Sequence, residues 1–62
     1  MTDLPDVPGA PARRALAGAG IVDLESLARW READVAALHG VGRRAMTALR
    51  EALDEAGMAF QD

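Results

Sequence analysis

Apolar side chains recur along this chain at spacings of three and four residues, and no window shows the period-two alternation with β-branched residues that a strand requires. The pattern predicts an all-α fold. Its clearest element runs from Arg43 to Ala56, where Ala45, Met46, Leu49, Ala52, Leu53 and Ala56 fall on one stripe and Arg43, Thr47, Arg50, Glu51 and Asp54 lie opposite. Gly57 ends it. Pro11 suits the first turn of an earlier helix because its missing N–H would have no partner inside the helix. Gly20 suits the left-handed position beyond the last turn, so a helix is predicted over Pro11–Ala19. Asp23 is placed to cap a short helix through Leu27 and Ala28, and a third is predicted from Glu32 to Leu38, with Trp30 and Arg31 at the joint. Pro5 and Pro8 keep the segment before Gly9 irregular. The expectation is one domain over residues 1–62: a compact bundle of four to five short helices with residues 1–9 as an arm.

An internal repeat underlies this layout. Arg50, Ala52, Leu53, Ala56, Gly57 and Met58 repeat Arg13, Ala15, Leu16, Ala19, Gly20 and Ile21 at an offset of 50 − 13 = 37. Both copies read as a helix ending in a Schellman motif, with Ile21 or Met58 folding back on Leu16 or Leu53. A second alignment, at 40 − 9 = 31, places Leu4, Val7, Gly9, Ala10 and Arg13 on Val35, Leu38, Gly40, Val41 and Arg44, which marks two hairpins. The change of offset predicts a final helix longer by 37 − 31 = 6 residues in the second copy. Pseudo-twofold symmetry follows.

Composition narrows the picture. Fourteen of the thirty-one hydrophobic residues are alanine, so about seventeen larger side chains must build a thin core. The chain has no cysteine, which excludes disulfides and thiolate metal sites. With no signal peptide and no long apolar run, a cytoplasmic location without membrane contact is expected. Seven arginines, no lysine and ten acidic residues give a net charge of −3. Any affinity for nucleic acid must therefore be local. A single histidine and few hydroxyls supply no nucleophile–base pair, so no catalytic activity is expected, and no cofactor or metal site is evident.

One segment carries chemistry: Val35-x-x-Leu38-His39-Gly40-Val41-Gly42-Arg43-Arg44. Val35 and Leu38 anchor the preceding helix and Val41 plugs the turn inward. Gly40 and Gly42 lack a Cβ, so the chain turns sharply and its amides approach an anion unobstructed. The turn opens onto a helix N-terminus, where unpaired N–H groups and the dipole favour a phosphate oxygen, and Arg43 and Arg44 add charge. These are the requirements of a sequence-blind grip on a DNA backbone. Arg13 and Arg14 would come beside this hairpin as secondary contacts under the pseudo-twofold. His39 reads as a turn residue, Trp30 as core, and Glu51, Asp54 and Glu55 as a solvated face.

The segment 35–46 resembles a helix-hairpin-helix motif, and residues 4–60 resemble its doubled, SAM-like form. Within that group the likeness is greatest to the C-terminal domains of bacterial RNA polymerase alpha subunits. It is carried by Leu16-x-x-Ala19-Gly20-Ile21-x-x-Leu24-x-x-Leu27 and by Asp34 through Leu53. The resemblance implies binding across the DNA minor groove and contacts with regulators. It puts the DNA-facing positions at Pro11, Arg14, Gly42, Arg44, Ala45 and Ala48, where the family's side chains are absent from positions 11, 45 and 48. It therefore implies a weak, non-specific grip on double-stranded DNA, and it allows a monovalent cation held by loop carbonyls. The alternative is a helical protein-interaction module or small homodimer, to which a joined, exposed patch of Trp30, Met58 and Phe60 would point.

Overall fold

A computed structural model describes residues 2–61. Four helices follow in order: α1 (Ala10–Gly18), α2 (Leu24–Ala28), α3 (Glu32–Ala36) and α4 (Arg43–Glu55). No strand forms among the described residues; one isolated antiparallel bridge joins Asp3 to Asp23. No helix is long and apolar enough to cross a membrane.

Helix α4 organises the molecule. Thirteen residues at about 1.5 Å each make it roughly 20 Å long, comparable with the overall extents of 26 × 21 × 19 Å. Its apolar stripe buries Ala45, Met46, Leu49 and Leu53, while Arg43, Thr47, Arg50, Glu51 and Asp54 remain exposed as the periodicity requires. Ala12 and Leu16 of α1, Leu24 and Leu27 of α2, Val35 of α3, and Val7 and Ile21 from the connections complete the core. Leu27, Val35 and Leu49 have no exposed surface. Trp30, Met58 and Phe60 are half-buried against this cluster, and the Trp30 carbonyl accepts the Gln61 N–H at 3.0 Å.

The two long helices end alike. After α1, Gly20 takes φ 79°, the Ile21 N–H donates to the Leu16 carbonyl at 2.9 Å, and the Gly20 N–H donates to Ala17 at 3.1 Å. After α4, Gly57 takes φ 71°, the Met58 N–H donates to Leu53 at 2.8 Å, and the Gly57 N–H donates to Asp54 at 3.0 Å. This is the Schellman hydrogen-bond pair in both places. The starts of α2, α3 and α4 are as expected, whereas the start of α1 and the end of α3 differ. Helix α1 begins at Ala10, with Pro11 second, and α3 stops at Ala36, where the Leu38 N–H turns back to Val35 at 3.1 Å. Helix α4 exceeds α1 by 13 − 9 = 4 residues, not six. The positive-φ glycines Gly9 and Gly40 match at the offset of 31, but Gly9 caps α1 directly, whereas Val41 and Gly42 intervene before α4.

The irregular arm is tied down. The Leu24 N–H donates to the Thr2 carbonyl at 2.8 Å; the Thr2 N–H and hydroxyl donate to the Glu25 carboxylate at 2.9 and 3.1 Å. Asp23 caps α2 by accepting the Ser26 hydroxyl at 2.6 Å and the Ser26 N–H at 2.8 Å. The Ser26 bonds hold the Asp23 carboxyl below its ordinary value of 3.8, and the Thr2 amide does the same for Glu25, ordinarily 4.5. Hydrogen bonding to the ionised form is the cause in each case.

Two outcomes follow. Because both carboxyls have folded values below their unfolded ones, their stabilisation is complete above about pH 5 and disappears as pH falls through the depressed values. Thermal melts should therefore lose midpoint temperature below about pH 4, and the exchange protection factors of the Leu24 and Ser26 amides, taken relative to the intrinsic rate at each pH, should fall first; a flat melting temperature down to about pH 3 would contradict this. Truncating Leu49→Ala at the centre of the core should cost about 2–5 kcal/mol in urea titrations, enough to leave so small a domain largely unfolded.

Candidate nucleic-acid interface

The hairpin begins where α3 ends. Val35 is fully buried, while Leu38 and Val41 are half-buried against the core, so three apolar anchors hold the turn from inside. The Val41 N–H donates to the Leu38 carbonyl at 3.1 Å and closes it. Gly40, with φ 96°, occupies backbone space that L side chains rarely enter. It also has no room: a Cβ there would lie 2.7 Å from the Pro11 carbonyl oxygen and 3.2 Å from the Pro11 Cβ. Gly40 thus rests directly on the first turn of α1, which brings the α3–α4 turn against the start of that helix.

Gly42 plays a different part from the sharp turning expected of it. Its φ of −100° and ψ of −175° are extended and open to any residue, and a Cβ would meet nothing within 4 Å. The turn is made at Gly40, and Gly42 contributes open space at the helix start. Gly42 caps α4 without a side-chain bond, and the first helical hydrogen bond runs from the Met46 N–H to the Gly42 carbonyl at 3.0 Å. The amides of Gly42, Arg43, Arg44 and Ala45 precede that bond and have no protein acceptor among the described residues. They lie at the positive end of the α4 dipole.

A shallow groove runs between the start of α1 and the α3–α4 turn, walled by Pro8, Gly9 and Pro11 on one side and by Gly40, Gly42, Arg43, Arg44 and Ala45 on the other. Arg43 and Arg44 are exposed and form no ion pair among the described residues, where the pairs are Arg50–Glu32 at 2.6 Å and Arg13–Asp6 at 3.9 Å. No carboxylate lines the groove. Residues 7–22 and 35–50 contain five of the seven arginines and none of the ten acidic residues, so the net negative charge resides elsewhere on the chain. That segregation was readable in the sequence and is the signal that composition alone obscured.

The expected site residues divide. Gly40, Gly42, Arg43 and Arg44 line the groove, and Val41 forms its inner support. Arg14 is exposed one turn beyond Pro11 and has no ion pair among the described residues. Arg13 faces away: its guanidinium donates to the Val7 carbonyl at 3.1 Å and borders a separate apolar groove with Leu4, Pro5 and Val22. It braces the arm. His39 is exposed at the turn. No three His or acidic side chains among the described residues are placed to hold a metal. Pro8, Gly9, Pro11 and Ala45 complete the groove; the resemblance had put Pro11 and Ala45 among the DNA-facing positions, whereas Pro8 and Gly9 join them only because the α3–α4 turn abuts the start of α1.

Comparison with models of known protein families, with curated protein sequences and with solved structures returned no match. The functional reading therefore stands on the geometry.

The two glycines should respond differently to alanine. Gly40→Ala combines a disfavoured φ with a backbone collision and should cost more than about 2 kcal/mol. Gly42→Ala should cost about 0.5–1 kcal/mol, the penalty of a poorer N-cap residue. Equal losses in chemical denaturation would contradict the assignment of the turn to Gly40.

Proposed function

We propose that this chain is a small DNA-binding module of tandem helix-hairpin-helix type that grips duplex backbone phosphates with little sequence specificity. The observation that carries the reading is the open start of α4: four amides and two arginines without partners among the described residues, in a groove that no described carboxylate lines. Main-chain donors and guanidinium groups recognise phosphate oxygens irrespective of base. The twin helix endings and the abutting glycine hairpins support the doubled arrangement. Ala45 is buried and Ala48 half-buried, so neither offers a base-reading group beyond the arginines, which favours a weak and sequence-tolerant grip.

The protein-interaction alternative has less to rest on. Trp30, Met58 and Phe60 pack against the core, and among the described residues the large hydrophobic side chain left exposed is Val22.

A short-duplex titration followed by amide chemical shifts tests the reading. Shifts should cluster at residues 39–45, with an affinity of about 10⁻⁴ to 10⁻⁶ M at moderate salt. Neutralising two or three phosphates should weaken binding roughly 10- to 40-fold between 50 and 200 mM salt. Arg44→Glu should abolish binding while leaving the melting temperature near that of the parent. Shifts confined to α2 and α3, or binding indifferent to Arg44→Glu, would refute the proposal.

A further inference from the structure

Residues 2–6 are fastened at two points with little between them. One end joins Val7, which is buried in the core and whose carbonyl accepts the Arg13 guanidinium at 3.1 Å. The other end is Thr2, whose hydrogen bonds among the described residues all run to the first turn of α2. Its carbonyl accepts the Leu24 N–H at 2.8 Å, and its N–H and hydroxyl donate to the Glu25 carboxylate at 2.9 and 3.1 Å. The Asp3–Asp23 bridge lies beside these bonds. No further hydrogen bond among the described residues reaches 4–6, and the Asp6 pair with Arg13 is long and exposed. Leu4 and Pro5 are only half-buried, and Pro5 borders a shallow cleft on each side. One cleft holds Leu24 and Ala52, the other Leu16, Ile21 and Val22. A segment that removes so little apolar surface from water opens at a lower free energy than the core.

Like charges gather where the segment is fastened. Asp23 opposes Glu25 from the same helix, and Asp3 and Glu55 line the cleft beside Thr2. Arg29, beyond the last turn of α2, acts on Asp23, but none of these four carboxylates has an ion pair among the described residues. The bonds to Glu25 therefore hold the segment down against repulsion.

We propose that residues 2–6 are a strap that opens as a unit while α1–α4 stay folded, with the Glu25 carboxylate as its clasp and Val7 as its hinge. Opening frees the Leu24 amide and joins the two clefts into one apolar trough along Leu16, Ile21 and Leu24. The device is separate from the proposed DNA contact, because no residue of the strap lines that groove.

Native-state hydrogen exchange of the full chain tests it. The Leu24 N–H donates to the strap alone among the described residues, so it reports opening. Its protection factor should lie at least about tenfold below those of Leu49 and Leu53 and stay constant up to about 1 M urea, where the α4 amides lose roughly fivefold. Glu25→Ala should lower Leu24 protection about 3- to 10-fold while the α4 chemical shifts and a cooperative melt persist. Thr2→Val, which loses the hydroxyl only, should have a smaller effect. Leu24 protection equal to that of Leu49 with the same urea dependence overturns the proposal, since the strap then opens only with the whole domain. A folded Glu25→Ala with unchanged Leu24 protection also overturns it. If that variant does not fold, the comparison of Leu24 with Leu49 in the parent decides.

Discussion

Burial of one face of α4 is the interaction on which the rest of the molecule depends. The larger side chains are too few for two layers of core, so every other element contributes one or two residues to the stripe formed by Ala45, Met46, Leu49 and Leu53. Alanine at position 45 lets the first turn of α4 approach its neighbours closely, and Leu49 and Leu53 supply the volume farther along. The charged face of α4 then has only one direction left, toward water. A helix centred in this way must start at one end of the molecule. The start meets solvent because Gly42 provides neither a side-chain cap nor a Cβ to cover it.

The contact between Gly40 and Pro11 links that core to the proposed site. A turn with positive φ could be satisfied by several glycine arrangements, but a backbone oxygen within 2.7 Å of the absent Cβ leaves no tolerance for a side chain. The hairpin is therefore positioned by main-chain packing, which is stiffer than side-chain contact and requires no buried polar group. The Schellman endings at Gly20 and Gly57 do comparable work at the other ends of the helices, returning the chain toward the core through Ile21 and Met58.

Charge separates along the same lines. Carboxylates hold the arm and cap α2, where Asp23 and Glu25 accept hydrogen bonds from Ser26 and Thr2. Arginines without acidic partners stand at the mouth of the groove. A net charge of −3 and a locally cationic surface are thus compatible in one small domain.

Helical class, helix number and both helix endings were legible in the residues, because periodicity, proline and glycine act through local sterics that need no partner. The turn between α3 and α4 was legible for the same reason: apolar anchors, small turn residues and a following amphipathic run are adjacent in the chain. Tertiary structure alone decided the pairing of that turn with Pro11, the fate of Arg13 and the ordering of the arm. Arg13 shows why. Sequence placed it beside Arg14 as an equivalent cation, but successive helical residues project about 100° apart, and burial of Ala12 and Leu16 turned Arg13 toward the Val7 carbonyl while Arg14 stayed free of ion pairs. The six-residue difference inferred for the last helix dissolved similarly, since two of those residues, Val41 and Gly42, belong to the turn. Local rules set which elements form; which faces meet is set by the packing of distant residues, and the proposed groove exists only at such a meeting.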